Sequence, residues 1–124
     1  MSLLLDTNAF LWWVVDSPRL SKGAREAISS EDVLVSSATG FEIATKRKSR
    51  KLRFDEDIES QVESNGFRGL DITLQDAVAA GDLPLHHRDP FDRILIAQAQ
   101  IEQLIVVTSD PMFGQYDVPV LSAS

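Results

Sequence analysis

Leu3-Leu4-Leu5-Asp6-Thr7-Asn8 is an apolar run, too short for a helix, that stops abruptly at a carboxylate. It reads as a buried β-strand over residues 2–5 whose end delivers Asp6 into a cleft. Ala9 to Val15 follows, apolar all round, and reads as a short helix ended by Ser17-Pro18. The same strand–helix order recurs down the chain. Ser21 can cap a helix through Ile28, and Val33-Leu34-Val35 is a second buried strand. Ser37 caps a helix carrying Phe41, Glu42, Ile43 and Ala44. A further helix runs from Asp55 to about Val62, with Asn65-Gly66 as its stop.

Leu70-Asp71-Ile72 reads as a short third strand. Thr73-Leu74-Gln75-Asp76 has the form of a capping box and opens a helix over Ala77–Gly81. Pro84 to Arg88 is a loop. Asp89-Pro90 starts the strongest helix, with Phe91, Ile94, Leu95, Gln98 and Ile101 at helical spacing. Leu104 to Val107 is a fourth strand. Val118-Pro119-Val120-Leu121 is a short last strand at an edge, where proline is tolerated. Strands that are apolar throughout, rather than alternating, need cover on both faces. The pattern predicts a three-layer α/β/α fold with a central, mostly parallel sheet, in one domain over residues 1–124.

The composition narrows the chemistry. At 124 residues and 44% apolar, the chain can bury a real core. It has no cysteine, which excludes disulfides, zinc–thiolate sites and thiol catalysis. Its two histidines, His86 and His87, are adjacent in a loop; a multi-histidine metal centre is not expected, and both read as solvent-exposed. No apolar run approaches the roughly 20 residues that span a bilayer. No signal peptide is expected, and the cytoplasm is the expected location. The net charge is −7, yet six cations and no acid lie between Lys46 and Arg53. Such a strip suits an RNA backbone or an acidic partner segment; Lys46, Lys48, Arg50 and Lys51 are its candidate contacts.

Four acids matter most. Asp6 and Asp110 follow strands, at the carboxyl ends where open parallel sheets bind ligands. Asp92 lies in the first turn of its helix, and Glu42 on a helix that starts at the same edge. Asp6, Asp92 and Asp110 each also have an ordinary explanation as helix-end carboxylates. Their convergence would be costly: two unit charges about 4 Å apart repel by roughly 4 kcal/mol at an effective dielectric near 20. A cluster of this kind therefore holds protons or cations. Oxygen donors suit Mg²⁺, with Mn²⁺ as the alternative, and either ion can polarise a phosphoryl oxygen and activate water.

These blocks resemble the PIN-domain nucleases, and more closely the VapC-type toxins of bacterial toxin–antitoxin pairs. Leu3–Asn8 is similar to the family's opening strand and first acid. Ser37–Ala44 is similar to the helix carrying its glutamate. His87-Arg88-Asp89-Pro90-Phe91-Asp92-Arg93-Ile94-Leu95-Ile96-Ala97-Gln98-Ala99 is the most specific block, and Val106–Asp110 supplies the last acid. The resemblance covers nearly the whole chain. It implies a PIN-like fold and a metal-dependent endoribonuclease whose catalytic and metal-holding acids are Asp6, Glu42, Asp92 and Asp110. It also implies products with 5′-phosphate and 3′-hydroxyl ends, a cognate antitoxin that occludes the site, and a homodimer. Family members often carry tryptophan where Phe41 stands.

Thr7, Asn8, Thr108 and Ser109 lie beside the acids, where they can orient carboxylates or serve as caps. Asp89 reads as a helix cap rather than a fifth acid. Arg93 can meet a phosphate or pair with an acid. Trp12 and Trp13 point about 100° apart on a helix, which allows either two core residues or one core and one partner contact. The alternative function is a PIN-like module that binds RNA or a partner without cutting. A phospho-receiver fits poorly: only one acid follows the first strand and no lysine follows Lys51. An aspartyl-nucleophile phosphatase would need a second acid where Asn8 stands.

Overall fold

The computed structural model describes residues 1–124. Five parallel strands form one sheet in the order β3-β2-β1-β4-β5. They are β1 (Ser2–Leu5), β2 (Asp32–Ser36), β3 (Arg68–Leu70), β4 (Ile105–Thr108) and β5 (Val120–Ser122). The helices are α1 (Thr7–Val14), α2 (Lys22–Ser30), α3 (Ser37–Lys48), α4 (Ile58–Ser64), α5 (Leu74–Asp82) and α6 (Pro90–Glu102), with a 3₁₀ turn over Pro111–Gln115. The expected α/β architecture with a parallel sheet is the one observed.

The uninterrupted apolar strands have a simple cause. Successive side chains point to opposite faces, and both faces are covered. Leu3 and Leu5 of β1, Val33 and Val35 of β2, and Val107 of β4 join one core with Phe10 of α1 and Ala24 and Ile28 of α2. Leu4, Leu34 and Val106 point the other way, into a second core with Leu95, Ile96 and Ala99 of α6 and Phe113. Central β1 pairs with β2 on one side and β4 on the other, Leu5 standing opposite Val35 and Val107. Both tryptophans pack against the first core. Trp13 also donates its indole N–H to Asn65 Oδ1 at 3.0 Å, an intramolecular tie.

Several boundaries differ from the sequence reading. α1 begins at Thr7 rather than Ala9, because Asp6 caps it by accepting from the Ala9 N–H at 2.8 Å. Ser36, not Ser37, caps α3, and α4 starts at Ile58, capped by Asp57, rather than at Asp55. The third strand is Arg68–Leu70, not Leu70–Ile72. It is an edge strand, so apolar content is a poor guide to its register. Its Arg68 pairs with Asp32 at 2.6 Å, while Ile72 is left 37% exposed before the α5 cap. The last strand likewise starts one residue after Pro119. The Thr73–Asp76 capping box and the Asp89-Pro90 start of α6 are as expected.

Candidate active site

The carboxyl ends of β1 and β4 and the starts of α1, α3 and α6 meet at one edge of the sheet. There a pocket of about 180 Å³, with no hydrophobic lining, is walled by Asp6, Thr7, Asn8, Glu42, Lys46, Asp89, Asp92 and Asp110. The four chain-distant acids thus face one cavity. A larger cleft of about 600 Å³ lies alongside, between α3, α4 and β3, lined by Phe41, Val62 and Phe67 among others. Phe41 is 65% exposed and meets Phe91 at a tilt of 59°, ring centroids 5.8 Å apart, so a larger ring at this position would meet solvent and Phe91 rather than the acids.

Each acid has a distinct setting. Asp6 is 6% exposed and caps α1 with Oδ1. Burial pushes its pKa up to about 6, against the lowering effect of hydrogen bonds from Thr108 and the Ala9 N–H, with the Asp110 and Glu42 charges adding to the rise. Asp92 is pushed up to about 7 by burial first and then by the Asp89 charge. His87 beside it pulls the other way, and Asp6 and Glu42 add to the rise. Glu42 is also 6% exposed. The Thr7 hydroxyl donates to its Oε1 and the Lys46 ammonium to its Oε2, each at 2.6 Å. Asp110 divides its oxygens: Oδ1 accepts from the Met112 N–H at 2.9 Å, and Oδ2 lies 2.8 Å from His87 Nε2.

The capping roles and the convergence therefore coexist. Asp6, Asp89 and Asp110 are all N-caps, and all three wall the pocket. Asp89 accepts from the Phe91 and Asp92 N–H groups at 2.9 and 3.0 Å. A helix start already gathers N–H donors, so a carboxylate can cap with one oxygen and present the other to the cavity.

Some expected residues do other work. Arg93 pairs with no acid, and its guanidinium is turned to backbone carbonyls rather than to the pocket. It is buried, and its guanidinium donates to the carbonyls of Ala80, Gly81, Leu83, Pro84 and His87 at 2.8–3.2 Å. The turn between α5 and α6 leaves most of these carbonyls without a helical partner, and the two terminal nitrogens of one planar guanidinium serve them together. Thr7 holds Glu42, and Thr108 holds Asp6 while its hydroxyl oxygen accepts from the Asp110 N–H at 3.0 Å. Asn8 is exposed at the pocket wall; Ser109 is exposed, outside the wall, and makes no side-chain hydrogen bond. In the basic strip only Lys46 reaches the pocket. Arg47 donates to the Phe54 and Glu56 carbonyls, Arg53 lies 3.7 Å from Asp55, and Lys48, Arg50 and Lys51 are exposed.

His87 is the residue that sequence reasoning missed. It is not an exposed loop histidine: its side chain is 12% exposed, with Nε2 3.0 Å from Asp92 Oδ2 and 2.8 Å from Asp110 Oδ2. The available signal was its position two residues before a helix cap that sits beside two of the acids.

A family model described as PIN domain matches residues 3–119. Ribonuclease VapC22 of Mycobacterium tuberculosis is 30% identical over 113 residues, which span 88% of this chain and 87% of that protein. The structure of VapBC2 from Rickettsia felis bound to a promoter DNA fragment has a similar fold, with a TM-score of 0.71 at 15% identity over 98% of each chain. DNA-bound VapBC from Salmonella typhimurium has a TM-score of 0.68 at 18% identity, covering 100% of this chain and 99% of that one.

Proposed function

The chain belongs to the PIN-domain family, and from that premise we propose that it is a divalent-metal-dependent endoribonuclease, the toxin of a VapBC-type toxin–antitoxin pair. The observation that carries this reading is the convergence of Asp6, Glu42, Asp92 and Asp110 on one wholly polar pocket. The donor set fits a hard cation. It is all oxygen, and burial, with the neighbouring carboxylates adding, raises Asp6 to about 6 and Asp92 to about 7, a penalty on their charged forms that a divalent ion would relieve. Asp6, Glu42, Asp92 and Asp110 would hold Mg²⁺, with Mn²⁺ as the alternative. Bound there, the ion supplies Lewis-acid polarisation of the scissile phosphoryl group and makes water a competent nucleophile at neutral pH.

The chain's own residues supply the orientation. The Thr7 hydroxyl and the Ala9 N–H fix the Glu42 and Asp6 carboxylates, so both enter the pocket with little freedom to turn away. The α1 N-terminus, tied to Asp6 Oδ1, adds a positive helix end to the same wall. Lys46 neutralises part of the acidic cluster through Glu42 and is the cation placed to meet an RNA phosphate at the pocket mouth. The exposed Lys48, Arg50 and Lys51 extend that contact along the backbone, or receive an acidic segment of the antitoxin.

On this reading residues 1–124 act as one PIN-like domain, as a homodimer in the cytoplasm, and a cognate antitoxin occludes the acidic pocket. Cleavage leaves 5′-phosphate and 3′-hydroxyl ends. No helix is long and apolar enough to cross a membrane. The test is an RNA cleavage assay with Mg²⁺ or Mn²⁺, with and without EDTA, on the wild type and Asp6→Ala. Cutting that needs metal and is lost in the variant supports the enzyme; RNA binding without cutting supports a binding module instead.

A further inference from the structure

We propose that His87 is a positioning residue of this site: its Nε2, hydrogen-bonded to Asp110 Oδ2 at 2.8 Å and 3.0 Å from Asp92 Oδ2, sets the spacing at which these two carboxylates receive the cation. This rests on the metal-site reading above. Asp92 comes from the start of α6 and Asp110 from the end of β4. No other side chain forms an ion pair with both.

Nearly every other polar group of His87 is already tied down. Its backbone N–H donates to the Tyr116 hydroxyl at 2.7 Å, and that hydroxyl donates to the Pro84 carbonyl at 2.6 Å. Its carbonyl accepts from Arg93 at 3.1 Å. The ring meets Phe113 edge-on, with centroids 5.8 Å apart. Arg93 and Tyr116 therefore strap the whole 80–87 turn, and the strap aims one imidazole nitrogen at the acids.

The remaining contact fixes which nitrogen carries the proton. The Asp89 N–H donates to His87 Nδ1 at 3.2 Å, so Nδ1 is an acceptor and the hydrogen sits on Nε2. Three ligand-type groups, His87, Asp92 and Asp110, do come close enough together to suggest a three-ligand metal centre. Nε2 could join such a centre only by shedding its hydrogen, which would move the proton to Nδ1 and against the Asp89 N–H. The donor role keeps that hydrogen bond; the ligand role breaks it. Each carboxylate keeps lone pairs for a cation: Asp92 Oδ1 accepts no hydrogen bond, and each oxygen of Asp110 takes only one.

Two measurements test this. Long-range ¹H–¹⁵N spectra of the wild type, with and without Mg²⁺, should show a pyridine-type Nδ1 and a pyrrole-type Nε2 in both states. Protons on both nitrogens, or a pyridine-type Nε2 after Mg²⁺ addition, would overturn the proposal. Mn²⁺ binding followed by EPR then compares His87→Gln, which carries an N–H donor near the Nε2 position, with His87→Asn and His87→Ala, which do not. Gln should stay within about threefold of wild type, while Asn and Ala weaken binding about 10- to 100-fold. Equal affinity in all four proteins, or equal loss in all three folded variants, refutes it. A wild type that takes up no Mn²⁺ refutes the metal-site reading instead, and the nitrogen spectra still judge His87.

Discussion

Replacing Asp92 with asparagine should stabilise the metal-free protein while removing its activity. Its carboxyl is raised from 3.8 to about 7 in the fold. Between those values the native state holds a proton that the unfolded chain has lost. The associated stabilisation is fully present below about pH 4 and is lost as pH rises through about 7. A three-unit shift is worth at most about 4 kcal/mol. With the side chain 20% exposed, water screens part of that, and about half is a reasonable working figure. Asparagine keeps an oxygen for the His87 N–H and adds an amide needing a partner, leaving a net gain of about 1–2 kcal/mol at pH 8. For a chain of this size that is a rise in Tm of roughly 3–8 °C. Thermal unfolding in EDTA at pH 8 and pH 4.5 measures it. The gain should shrink at the lower pH, and Mg²⁺ should raise the Tm of the wild type more than that of the variant. A drop in Tm at pH 8 without metal, or a gain indifferent to pH, would mean that Asp92 serves the helix start and that its charged form carries no penalty in the fold.

Asp6→Asn keeps the α1 cap and should also gain stability at pH 8, by about 1 kcal/mol, whereas Asp6→Ala should lose that gain because removing a cap costs about 1 kcal/mol; urea unfolding separates the two. Arg93→Met should cost about 3 kcal/mol or more by leaving the Gly81, Leu83 and His87 carbonyls without a donor, and lysine should not rescue it. An unchanged urea midpoint would instead free Arg93 for a phosphate. Reversing Lys48, Arg50 and Lys51 to glutamate should weaken RNA or antitoxin binding and leave Mn²⁺ affinity unchanged, since all three lie outside the pocket. Unaltered binding of both partners would mark the strip as an ordinary solvated helix end.

The sheet was legible because its central strands are buried on both faces, which forces continuous apolar runs such as Leu3–Leu5 and Val33–Val35. The edges were less so. Arg68-Gly69-Leu70 is a strand through its pairing to β2, and nothing in its composition demands one. In the site, the four acids could be named from their places after strands and at helix starts. What each side chain turns towards depends on contacts from far along the chain. Arg93 looked like a cation for phosphate because the five carbonyls that take it belong to a turn whose path is set by α5–α6 packing. His87 looked solvent-exposed because its burial comes from Phe113 and Tyr116, which sequence places more than 20 residues away.

Mn²⁺ binding to the apo protein, set beside the same titration on Asp6→Asn, Glu42→Gln, Asp92→Asn and Asp110→Asn, bears most directly on the convergence of the acids. Saturable, EDTA-reversible binding by the wild type, weakened at least tenfold by each single change in proteins that remain folded, is the expected result. Wild-type affinity in Asp6→Asn or Asp92→Asn would show that these carboxylates only serve helix starts and do not share a cation.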